Sequence, residues 1–162
     1  MKIIGRVLGA IVLLIVLTAA SLYIWGEPIR RMPGRHLHGT VVTQPVEDWS
    51  FAASPKGTLC QIEVDSDSPE AVNIACIGVL KNLYVGHMVR PNQRRSWAEV
   101  LALNLDSARI RFGKNIYPVR ATPVTDPAER QRIWDTGYTV LHAQNGPASP
   151  PDSFLLFKLV SR

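Results

Sequence analysis

Nineteen consecutive residues without a charge, Val7 to Trp25, stand near the start of this 162-residue chain, behind Lys2 and Arg6. As a helix such a run reaches about 28 Å, close to the hydrocarbon thickness of a bilayer. A core helix of a small domain keeps one polar side, and this run has none. The pattern predicts an N-terminal transmembrane anchor over residues 1–26, a linker over 27–38, and one folded domain over 39–162.

A basic start followed by an apolar stretch also describes a secretory signal peptide, and Thr18-Ala19-Ala20 is a weak cleavage pattern. The apolar run continues past it through Leu22, Tyr23, Ile24 and Trp25, which favours an uncleaved anchor. Tyr23 and Trp25 then fall at the membrane–water interface, where amphipathic aromatics collect. Lys2 and Arg6 hold the N-terminus inside, while Arg30, Arg31 and Arg35 on the far flank nearly cancel that bias. A short tail before a large domain tips the expectation toward a bacterial inner-membrane protein, single-pass, with its domain exported.

About 135 residues follow the anchor, enough for one core and too few for two. Removing Lys2 and Arg6 leaves 16 basic residues against 13 acidic, so the domain is only mildly basic. The arginines are scattered and no basic stripe interleaves with aromatics, which argues against a nucleic-acid partner. The histidines His36, His38, His87 and His142 lack metal-ligand spacing beyond the first pair, and no metal is expected. No Walker A, dinucleotide fingerprint, nucleophile elbow, HExxH or internal repeat is present.

Period-two patterning dominates the rest. The stretches 58–64 and 71–79 flank a turn-rich segment, Asp65 to Glu70. A hairpin centred on Ser68 pairs Val64 with Val72, Ile62 with Ile74 and Cys60 with Cys76, all apolar on one face. Gln61 and Glu63 fall on the other face. Facing each other, the cysteines admit three readings: buried thiols packed as small apolar groups, a cross-strand disulfide suited to an exported domain, or a redox-active pair. A short strand follows over 82–86, and the turn 46–51 carries Trp49 and Phe51 as core candidates.

Trp97, Val100 and Leu101 recur at helical spacing in 95–103. Ala108, Ile110 and Phe112 alternate with Arg109 and Arg111 in a half-buried strand. Gly113-Lys114-Asn115 turns that strand into a partner with Tyr117, Val119 and Ala121 on its apolar face. Asp126-Pro127-Ala128-Glu129 starts a capped helix whose buried side holds Ile133 and Trp134. Residues 154–160 form a last strand, apolar on both faces. The sum is a mainly β (α+β) domain, a small antiparallel barrel of about six strands with two helices.

From residue 39 onward the chain resembles the split-barrel flavin-binding superfamily of pyridoxamine-phosphate oxidase and the deazaflavin-dependent reductases. The residues that carry the resemblance are SPEAVNIACIGVLKNLYVG, RRSWAEVLALNLDSARIRF and YPVRATPVTDPAERQRIW. It implies a split barrel binding FMN or a related flavin or deazaflavin in a groove of a homodimer, with an unspecified small-molecule substrate. The family's phosphate-holding cluster at the start of the aliphatic helix is matched by Arg94, Arg95 and Ser96, with Trp97 next. Two arginines where unpaired helix N–H groups emerge suit an anion. Asn73, Ser50 and Tyr84 are candidates for polar contacts to a ring system. Gln61 and Glu63 stand where the family places further basic phosphate ligands. Two functions follow: a membrane-anchored flavin-binding barrel, if an enzyme then an oxidoreductase, or a non-catalytic barrel that binds a partner protein or apolar ligand at the membrane surface.

Overall fold

The computed structural model describes residues 2–30, 32–52, 58–64, 69–92, 94–138 and 147–162. The side chains of Tyr23 and Trp25, residue Arg31, the turn 65–68 and His142 lie outside the described residues.

Helix α1 (Lys2–Trp25) is 24 residues long, and its described side chains, from Gly5 to Ser21, are all exposed. Among the described residues no helix is long and apolar enough to cross a membrane. The strands are β1 (Thr40–Val41), β2 (Thr58–Val64), β3 (Glu70–Val79), β4 (Asn82–Met88), β5 (Ala108–Phe112), β6 (Asn115–Pro123) and β7 (Phe154–Ser161). Helix α2 (Trp97–Leu103) joins β4 to β5, and α3 (Pro127–Ile133), continued by a π-turn (Trp134–Tyr138), follows β6.

Six strands close into an antiparallel barrel in the order β6-β5-β2-β3-β4-β7, with β7 pairing back onto β6. This is the mainly β barrel that the strand periodicities predict, and it agrees with the split-barrel fold that the sequence resembles. Strand β7 covers only the far half of β6, from Val119 to Pro123. Two-residue β1 lies parallel to the near half, Thr40 on Asn115 and Val41 on Ile116, so an otherwise open edge is occupied.

Alternation sorts the side chains into layers. Cys60, Ile62, Val64, Cys76, Leu83, Val85, Ile110, Val119, Phe157 and Leu159 fill the barrel, plugged by Trp97, Ala98 and Leu101 of α2 and by Trp49. The opposite faces of β3, β4 and β7 pack Ile77, Tyr84, Phe154 and Leu156 against Ile133 and Trp134. That second layer is why β7 is apolar on both faces. A third, small cluster places Leu37 over Ala71 and Ile116.

Two expectations are corrected. The β2–β3 register is displaced by two residues: Val64 faces Glu70, Ile62 faces Val72 and Cys60 faces Ile74. An even shift leaves every side chain on its own face, so facial patterning excludes odd slips only. Cys60 and Cys76 are therefore diagonal neighbours rather than opposite. Their Cα atoms are 5.9 Å apart, within bridging range, and they form a disulfide. Phe51 is 53% exposed rather than core, resting on Trp49, Phe112 and Tyr117. Segment 26–38, the linker of the sequence reading, lies along the outer face of β2, β3 and β5, bonded to all three.

Candidate functional site

Cross-strand register builds a polar ladder on that outer face. Gln61 lies between Asn73 of β3 and Arg111 of β5, and Glu63 lies opposite Arg109. Gln61 donates to Asn73 Oδ1 at 2.8 Å, and its own carbonyl accepts from Arg111 Nε at 2.5 Å. Arg111 is only 11% exposed and grips both oxygens of Glu27, Nη1 to Oε1 at 2.6 Å and Nη2 to Oε2 at 2.9 Å. Its Nη1 also donates to the His38 carbonyl at 2.6 Å. The arginine hydrogen bonds hold the Glu27 carboxyl below the usual carboxylate range, against a smaller opposing push from burial. Glu63 accepts from Arg109 with one oxygen and from the Leu37 amide, at 2.6 Å, with the other. His36 Nδ1 stands 3.8 Å from the same carboxylate.

Asn73 completes the clamp, donating to the carbonyls of Pro28 at 3.3 Å and Arg30 at 2.9 Å. The Gly34 amide donates to the Ala71 carbonyl and Ala71 returns the bond, adding a one-residue bridge to the edge of β3. The held segment forms one wall of a cleft of about 420 Å³ lined by Ile29, Met32, Pro33, Arg35, Glu70 and Arg94, among others. This size falls in the range of small-molecule sites.

The four residues at the start of α2 part company. Arg94 lines the cleft. Arg95 is exposed beside Glu99, whose carboxyl it helps to hold low. Ser96 is the N-cap: its hydroxyl accepts from the Glu99 amide while Glu99 Oε2 accepts from the Ser96 amide at 2.7 Å and hydroxyl at 2.9 Å. Hydrogen bonds to the backbone and then to the side chain of Ser96 lower the Glu99 pKa, so this capping box places a carboxylate at the helix start. Trp97 is buried in the barrel plug, its ring 5.7 Å from His87. Burial pushes the His87 pKa down.

Asn73 holds the cleft wall through its amide, bonded to the carbonyls of Pro28 and Arg30. Ser50 sits in an exposed single turn, its amide bonded to Asp48. Tyr84 donates to Glu129 at 2.7 Å beneath α3. Of the sequence candidates, then, Arg94 lines the cleft and Asn73 holds the segment that forms its wall. The residues that sequence reasoning missed are those of segment 26–38, above all Glu27, Ile29 and Met32. No pattern marks them: Glu27 is the lone acid among the arginines of 26–38, and its partner Arg111 alternates onto a strand face that reads as solvated.

No family model matches this chain, and no curated protein matches it. Solved structures similar to it include a putative pyridoxamine 5'-phosphate oxidase from Listeria innocua, at 18% identity over 64% of this chain and 82% of that one, with a TM-score of 0.48. A FAD-binding protein from Mesorhizobium loti is similar at 14% identity over 67% of this chain and 83% of that one, with a TM-score of 0.43.

Proposed function

We propose that this chain is a membrane-anchored split barrel, its domain on the exported side, that binds FMN or a related flavin in the cleft beside Arg94. The observation that carries the reading is the cleft itself. Ile29, Met32, Pro33 and Pro69 offer apolar surface for a planar ring, and Arg94 offers a fork for a phosphate. Glu70 shares the lining, while Glu27 is already neutralised by Arg111. A bound flavin supplies electron transfer; the protein's part is to hold and orient it. A homodimer is part of the same reading.

Three observations support the anchor and its direction. The run from Val7 to Trp25 carries no charge and its described side chains are all exposed, and the hydroxyl of Thr18 is satisfied inside the helix by the Leu14 carbonyl at 2.8 Å. The Cys60–Cys76 bridge suits an oxidising compartment.

Full-length protein purified in detergent tests the cofactor. Flavin absorption bands, or uptake of added FMN with quenched flavin fluorescence, are expected. Arg94→Ala should weaken uptake about tenfold, the worth of one charge-assisted hydrogen bond. A colourless protein that leaves FMN fluorescence unchanged overturns the reading.

A second reading, a non-catalytic barrel that binds a partner at the membrane surface, has its own support. Arg109 and Arg111 are engaged by Glu63 and Glu27, and Ser96 by Glu99, so these groups are committed within the fold rather than turned to a phosphate. Failure of FMN uptake together with retained folding selects it.

A further inference from the structure

Segment 26–38 begins one residue beyond α1 yet is fastened to the barrel at once. Glu27 is held by Arg111, and the Arg35 amide donates to the Gly26 carbonyl at 3.0 Å, closing the segment on itself. Between these ties the chain turns back on itself, Ile29 and Met32 exchanging backbone hydrogen bonds of 3.1 and 2.9 Å. Arg30, within the turn, has a φ of 53°. The two bridged side chains point outward, 59% exposed for Ile29 and 65% for Met32. Arg30 is exposed beside them, and Arg94 stands on the cleft that both apolar residues line.

Distance fixes where this turn can be. Ile29 follows Trp25 by four residues, so it lies at most about 14 Å from the helix end. The headgroup layer on each side of a bilayer is roughly 5–8 Å deep. With α1 in the membrane, the turn is kept within or just above that layer. Apolar side chains flanked by arginine are the composition that settles at such a boundary, with the charge on lipid phosphate and the apolar part below it.

We propose that the Ile29–Met32 turn and Arg94 form a contact surface for anionic phospholipid headgroups of the leaflet that α1 enters. The contact fixes the barrel's orientation and turns the cleft toward the bilayer, where lipid phosphate and FMN phosphate are alternative occupants of Arg94. The proposal rests on the anchored reading of α1.

Both native cysteines are in the disulfide, so a nitroxide can be attached at Met32→Cys alone. Leu80→Cys serves as reference: it follows β3, whose ten residues carry it about 30 Å from the Glu70 end. Both labelled full-length proteins are placed in vesicles of phosphatidylcholine with and without phosphatidylglycerol. The label at 32 is expected to be shielded from an aqueous nickel relaxant and open to oxygen, more so with phosphatidylglycerol, while that at 80 stays open to nickel. Arg94→Gln should weaken the anionic-lipid dependence about fivefold. Equal nickel access at 32 and 80, or equal depth in the two lipids, overturns the proposal. Flotation of the same samples reads the anchor separately. Protein that floats with an open label refutes the surface contact alone, and protein that does not float refutes the anchor and the contact together.

Discussion

Arg111 and Glu27, 84 positions apart, meet through two hydrogen bonds that fasten the segment leaving α1 to the barrel wall. The pair is lopsided in burial: the arginine is enclosed, whereas the carboxylate side chain keeps 39% of its surface. Removing the acid therefore strands a desolvated cation, and removing the cation leaves a carboxylate that water can reach.

Glu27→Gln is expected to cost about 1–2 kcal/mol, below the figure for a fully buried pair because Glu27 is partly solvated. Arg111→Met also removes the donor to the Gln61 and His38 carbonyls and should cost at least as much, with the double variant costing less than the sum. The pH dependence has a definite sign. A folded-state pKa held below the unfolded 4.5 gives stability that is present above pH 4.5 and lost as pH falls through the folded value. Melting curves of the full-length protein across the acid range check both points. A wild-type loss on acidification no steeper than that of Glu27→Gln contradicts the assignment.

The Cys60–Cys76 bridge closes a loop of sequence separation 16, for which chain entropy gives about 3 kcal/mol. Both sulfurs belong to the barrel interior. Reductant alone should leave the native protein unlabelled by a maleimide, whereas reductant with denaturant should expose two thiols. Cys60→Ala with Cys76→Ala is expected to fold with a lower melting temperature. Rapid labelling of the native, reduced protein would refute a buried structural bridge.

Gly86, in β4, lies directly beneath the Phe154 ring, where an added Cβ would enter ring atoms. Both strands are fixed by pairing, Gly86 with Leu156 and Met88 with Phe154, so the ring has little room to retreat. Gly86→Ala should destabilise by about 1–3 kcal/mol through overpacking. Adding Phe154→Leu should recover part of that loss in urea titrations, and additivity of the two losses would argue against the contact.

The barrel was legible because burial imposes strict alternation. Cys60, Ile62 and Val64 share a face, as do Ala108 and Ile110, and Asp126 with Pro127 marks a helix start by local chemistry alone. What stayed hidden depends on long-range partners. The hairpin register needed the turn, because an offset of two preserves every face. Ser96 read as a phosphate ligand through its match to the family's cluster; its bonds to Glu99 form a capping box, which depends on a partner three residues on. Segment 26–38 read as a linker because Pro, Gly and Arg rarely build a core. It is held by Arg111, Glu63 and Asn73, residues that pattern alone assigns to a solvated face.

Tyr84 gives a test at the other end of the pH scale. Its hydroxyl donates to Glu129 at 2.7 Å under α3, and burial first, then the Glu129 bond and charge, push its pKa up to about 12. The neutral phenol is the form that the fold favours. A pKa raised from 10 means stability that is complete below pH 10 and lost as pH rises toward 12. Tyrosinate absorbance should show one phenol ionising last and together with unfolding. Tyr84→Phe should cost about 1 kcal/mol at neutral pH, since Glu129 can turn to water, and should flatten the alkaline loss. An unchanged alkaline slope in that variant would mean that another group governs the transition, and the Tyr84–Glu129 bond would then not be the link between α3 and the barrel at high pH.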